Sequence, residues 1–108
     1  MAVNFDSKEE EWIYNSLKKF KLDFFYHYEI FGGSLLRGGI IVDYAVWRPM
    51  LTPFEYFGPY WHAGQLGVDD KLKLIAEEQY FGQPPIVAYG SDIFDQQSSD
   101  DFVRQNVL

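Results

Sequence analysis

A helical spacing near the N-terminus, three apolar runs behind it, and a second helical stretch closed by Gly and Pro predict a mixed α/β domain. The expected order is helix, three antiparallel strands, helix, strand. The chain has 108 residues, one domain of ordinary size, and its 47% hydrophobic content with ten Phe, eight Tyr and three Trp is enough for a packed core.

The first helix is expected over residues 7–20. Ser7 with Glu10 three residues on is a capping-box pattern. Ile13, Leu17 and Phe20 make one apolar stripe, with Glu10 at its N-terminal end. Glu9 and Glu11, and Lys18, Lys19 and Lys21 at the other end, suit the helix dipole. Residues 22–31, dense in aromatics, read as a strand. Strand alternation places Phe25, His27 and Glu29 on one face and Phe24, Tyr26, Tyr28 and Ile30 on the other. His27 reads as a packed or edge residue. The glycine pairs 32–33 and 38–39 bracket a loop that carries Arg37.

Residues 40–47 are the first strand of a central hairpin, apolar on both faces as for a strand covered on both sides. Pro49 and Pro53 flank its turn, and residues 54–57 resume the sheet. Residues 58–67 form a loop rich in Gly and large rings, with Trp61 and His62 adjacent. A second helix follows over 69–81, with Asp69 as N-cap and Leu72, Ile75, Ala76 and Gln79 facing inward. Gly82 and the Pro84–Pro85 pair end it. Residues 86–89 are a short strand, parallel to 54–57 because a helix separates the two. A last helix is expected over 98–108, starting at the SSDD run and burying Phe102 and Val103.

The hairpin carries the chemistry. Each of its strands holds one carboxylate among apolar neighbours, Asp43 and Glu55. A three-residue turn centred on Pro49 sets these two directly opposite each other. Opposed like charges destabilise a sheet, so the pair calls for a counter-charge, and a hard divalent cation takes oxygen ligands of this kind. A register shifted by one residue would instead turn one acid to solvent. His62, near the end of the sheet that carries Glu55, offers an imidazole to position a water or a phosphate; its alternative is a surface His beside a core Trp.

Composition narrows the classes. Sixteen acidic and nine basic residues give a net charge of −7, which argues against a broad non-specific nucleic-acid surface. There is no apolar run long enough to span a membrane and no basic-then-apolar start, so a cytoplasmic setting is the default. The absence of Cys rules out a disulfide framework and thiolate metal sites. No Walker-type phosphate loop or dinucleotide fingerprint is present.

The landmarks taken together, Glu10 on a helix, a Gly-rich hairpin, VDY at 42–44, FEYFGPYWH at 54–62 and Asp69 opening a helix, resemble the PD-(D/E)XK nucleases. Within them the chain looks most like the very-short-patch-repair and homing-endonuclease-like branch. The resemblance implies a restriction-endonuclease-like core and Mg²⁺-dependent cleavage of DNA phosphodiesters. It implies metal binding by Asp43, Glu55 and Glu10, and a catalytic role for His62. The Lys of the (D/E)xK element is replaced by Phe57, and Lys71 or Lys73 on the following helix would be its migrated counterpart. The same departure raises the alternative of an inactive nuclease-like binding or assembly module, for example of a phage or mobile element. Pro59, Tyr60 and Trp61 would then contact a protein partner or a second copy.

Overall fold

The computed structural model describes residues 3–31, 39–58 and 67–108. It is a small α/β domain of three helices and one four-stranded mixed sheet. The elements are α1 (Lys8–Lys19), β1 (Phe24–Ile30), β2 (Ile40–Trp47), β3 (Leu51–Tyr56), α2 (Val68–Phe81), β4 (Ile86–Ala88) and α3 (Gln96–Asn106). Strand order is β1-β2-β3-β4, antiparallel except for the β3–β4 pair, which is parallel.

The helix starts follow local chemistry. Ser7 caps α1 by accepting the Glu10 backbone N–H, as the capping-box pattern predicts. In α3 the start differs from the expected SSDD run. Asp95 is the N-cap, accepting from the Ser98 N–H, and Ser98 is the third helical residue of a reciprocal capping box. The start of α2 differs too. Gly67 is its N-cap without a side-chain bond, and Asp69 lies in the first turn instead. Gly82 closes α2 in the left-handed region at φ 72°, where Gly carries no steric penalty, and its N–H returns to the Glu78 carbonyl.

The β2–β3 register is the one expected from a turn centred on Pro49, pairing Tyr44 with Phe54, Ala45 with Pro53, Val46 with Thr52 and Trp47 with Leu51. β3 begins earlier than expected, at Leu51, and takes Pro53 inside it. β4 pairs only from Phe54 onward, so Pro53 lies beyond its reach and the missing N–H leaves no gap in the β3–β4 ladder.

Two apolar clusters hold the elements together. The larger joins Ile13 and Leu17 of α1, Tyr44 and Val46 of β2, Phe54 of β3, Ala88 of β4 and Val103 of α3, with Phe24 and Tyr26 against it. The smaller joins Ile30, Ile40 and Val42, with Tyr28, Phe31 and, from α2, Ala76 and Phe81. Tyr26 and Tyr28 therefore belong to different clusters, contrary to simple alternation along β1. His27 between them has φ 57°, and one left-handed residue interrupts the pleat that places alternate side chains together. Coverage of β2 is also less complete than expected, since Ile41 and Trp47 are half exposed.

The inward face of α2 is not the predicted stripe. Leu72, Ile75 and Gln79 are exposed, and the fully buried residue is Glu77. The face turned to the sheet carries Lys73, Ala76, Glu77 and Phe81: Ala76 and Phe81 pack on the smaller cluster, and Lys73 pairs with the buried Glu55 of β3.

Candidate functional site

β2 and β3 position Asp43 and Glu55 one step past the last regular pair of the hairpin. Each carboxylate reaches across to the other strand. The Asp43 backbone N–H donates to Glu55 Oε1 at 2.6 Å, and the Tyr56 N–H donates to Asp43 Oδ2 at 2.9 Å. The residue that would face Asp43 from β1 is His27, which is skipped between the Tyr26–Tyr44 and Tyr28–Val42 pairs. The Asp43 N–H is then available to a side chain.

Glu55 is only 1% exposed, and its second oxygen lies 2.6 Å from Lys73 Nζ. Of the two lysines considered as the migrated Lys, Lys73 is therefore the one beside the acids; Lys71 is exposed. Lys73 also lines a cleft of about 380 Å³ with Gly39, Ile40, Ile41, Asp69 and Leu72, between the starts of β2 and α2. A larger depression, about 730 Å³, lies elsewhere, along Tyr14, Lys18, Lys21 and Tyr26, and none of these acids lines it.

The electrostatics are those of crowded, desolvated acids. Burial, and then the charge of Glu55, push the Asp43 carboxyl up to about 7. Burial also raises Glu55, with Lys73 opposing. Burial pulls the Lys73 ammonium down, but Glu55 beside it outweighs this and the net shift is upward. A third acid, Glu77, joins the group. Its side chain is fully buried, neither carboxylate oxygen has a hydrogen-bond partner, and burial with the Glu55 charge lifts it to about 8.

Glu10 is placed differently from the sequence expectation. It influences Asp43 and Glu55 only through longer-range charge. Its side chain meets Asp6 and His27, the three forming a group whose ligand atoms lie within 4.8 Å of one another. Phe57 is buried and stacks on Tyr89, ring centroids 6.0 Å apart, so it serves the core. His62, and with it Pro59, Tyr60 and Trp61, lies outside the described residues.

Sequence reasoning passed over Glu77, Asp6 and His27 as site residues. The signal for Glu77 was its spacing, four residues from Lys73 on one helix face. Asp6 carried no signal, because its approach to His27 depends on where β1 lies against α1. No family description, curated protein or solved structure matches this chain.

Proposed function

We propose that this chain is a metal-dependent nuclease domain that hydrolyses DNA phosphodiesters through Asp43, Glu55 and Lys73. The observation that carries the reading is the reach of Lys73 Nζ, 2.6 Å from Glu55 Oε2, while Asp43 and Glu55 bond across the same hairpin. Two carboxylates and a lysine thereby meet in space although Phe57 holds the motif position in sequence.

Mg²⁺ suits the donor set: the acids are hard oxygen donors, and the crowding that pushes Asp43 and Glu77 toward their protonated forms is what a cation would relieve. When bound by Asp43 and Glu55, the ion would lower the pKa of a water and polarise the phosphoryl oxygens. Lys73, released from Glu55, would hold the scissile phosphate by charge and orient the attacking water. The cleft beside Lys73 gives a route for the substrate backbone. The setting that fits DNA as substrate is cytoplasmic, and no helix among the described residues is long and apolar enough to cross a membrane.

The test is cleavage of branched, single-stranded and mismatched DNA with Mg²⁺ or Mn²⁺. Cleavage by the wild type, lost in Asp43→Asn and in Lys73→Ala at unchanged folding, is the expected result. Unfolding of Asp43→Asn would mark that residue as structural.

A second reading, an inactive module used for binding, is favoured by one observation. Leu72 and Ile75 leave an apolar face of α2 exposed, which suits a protein contact. Absence of cleavage and of any metal-dependent stabilisation would favour it.

A further inference from the structure

Asp6 precedes α1, Glu10 sits on its first turn, and His27 comes from β1. His27 Nε2 is 3.3 Å from Asp6 Oδ2 and 3.4 Å from Glu10 Oε1. Among the described residues no Lys or Arg pairs with either carboxylate. An imidazole cancels at most one of the two negative charges. Glu10 is only 8% exposed, so the remaining charge is held partly out of water, where it is costly.

The donor spacing also fits an ion. Ligands bound at about 2.0–2.2 Å to one cation lie no more than about 4.4 Å apart. Both His27 distances already meet this, and the Asp6 side chain, 73% exposed, is free to swing in. Other groups hold the donors in place. Tyr26 O–H donates to Glu10 Oε1 at 3.0 Å, and Ser7 Oγ lies 3.4 Å from Glu10 Oε2. The Tyr26 ring stacks on His27 with centroids 3.9 Å apart, which fixes the imidazole plane. Hydrogen bonds of the kind Glu10 receives are what orient metal-binding carboxylates.

We propose that Asp6, Glu10 and His27 form a site for a first-row divalent transition cation such as Zn²⁺, separate from the Asp43–Glu55 acids. The imidazole selects such ions over Mg²⁺ and Ca²⁺, which prefer all-oxygen shells. The site joins the segment before α1, α1 itself and β1, so a bound ion pins the N-terminal segment to the sheet. It does not depend on the nuclease reading.

Calorimetric titration of the full chain with ZnCl₂ tests the site. One ion per chain is expected in Asp43→Asn, where the Asp6–Glu10–His27 group is the intact set, with affinity reduced at least tenfold when Asp6→Asn or His27→Gln is added. Should His27→Gln fail to fold, Asp6→Asn decides alone, since that side chain is largely in solvent. No saturable binding by the wild type overturns the proposal. So does binding that survives when Asp6→Asn is added, and so does loss in Asp43→Asn alone, which would move the ion to the other acids.

Discussion

Asp100 and Glu77 are both helix acids with their side chains shut from solvent, and the fold provides for them in opposite ways. Asp100, on α3, accepts from Ser16 Oγ at 2.6 Å, Lys19 Nζ at 2.8 Å and Gln96 Nε2 at 3.1 Å. Burial alone would raise its carboxyl, but the bonds from Lys19, Ser16 and Gln96 outweigh it and hold it below the usual range. Glu77, on α2, has no partner for either oxygen and is pushed up. A buried charge met by donors ties helices together; Asp100 does this for α1 and α3. A buried carboxyl without partners, pushed toward its protonated form beside two more acids and a lysine, marks a place where stability has been given up for something else.

The largest expected difference between the two regions is in activity. If the chain is the proposed nuclease, Asp43→Asn should raise the barrier to DNA cleavage by several kcal/mol, on the order of 10³-fold in rate, because it would remove a metal ligand and its charge. Asp100→Asn should leave the rate per folded molecule unchanged. Equal losses in both variants, measured on protein shown to be folded, would erase the distinction.

Stability should respond the other way round. Asp100→Ala strips Ser16 and Gln96 of an acceptor and Lys19 of its partner, and should cost about 3 kcal/mol in urea unfolding. Lys19 keeps much of its hydration, its side chain being 59% exposed, so the cost should fall short of that for a fully buried pair.

The acids should also divide by pH. Asp43 and Glu77 bind their protons more tightly folded than unfolded, at about 7 and about 8. Their contribution is complete below about pH 4 and is lost as pH rises through 7 and 8. Asp100, lowered in the fold, contributes above its ordinary range and loses that contribution in acid. The metal-free protein should therefore be most stable in mild acid and weaken toward pH 8. Glu77→Gln should shrink the difference in unfolding free energy between pH 5 and pH 8 by roughly 3 kcal/mol. A wild type equally stable at both values would show that the three acids are compensated after all.

Much of this architecture was legible because it rests on local rules. The Ser7 cap, the hairpin turn at Pro49 and the helix stop at Gly82 each follow from a few neighbouring residues. Asp43 and Glu55 were conspicuous as lone charges in apolar strands, and the turn length set their register. The rotation of α2 was not legible. Leu72 and Ile75 make a reasonable inner stripe, and the contacts that hold another face inward, Lys73 with Glu55 and Ala76 and Phe81 with the smaller cluster, are made only in three dimensions. The left-handed backbone at His27 was equally hidden, since nothing in LDFFYHYEIF separates that residue from a regular strand position. With it went the approach of Glu10 to Asp6 and His27, which depends on the path of β1.

The helix starts carry the same contrast at the smallest scale. α3, which belongs to the bonded framework, begins with a complete capping box between Asp95 and Ser98. α2, which delivers Lys73 and Glu77, begins at Gly67 with no side-chain cap. Asp95→Ala should cost about 1 kcal/mol, since it leaves the Ser98 N–H without its acceptor. Gly67→Ser should gain a few tenths of a kcal/mol. Gly67 has φ −71°, open to any residue, and a Cβ there would meet only Asp70 Oδ2 at an ordinary 3.8 Å. The gain should appear in the unfolding midpoint. If α2 must shift for Lys73 to leave Glu55, the same variant should also slow cleavage, because a firmer first turn resists that movement. A variant that is both more stable and equally fast would show that Lys73 is released by its side chain alone.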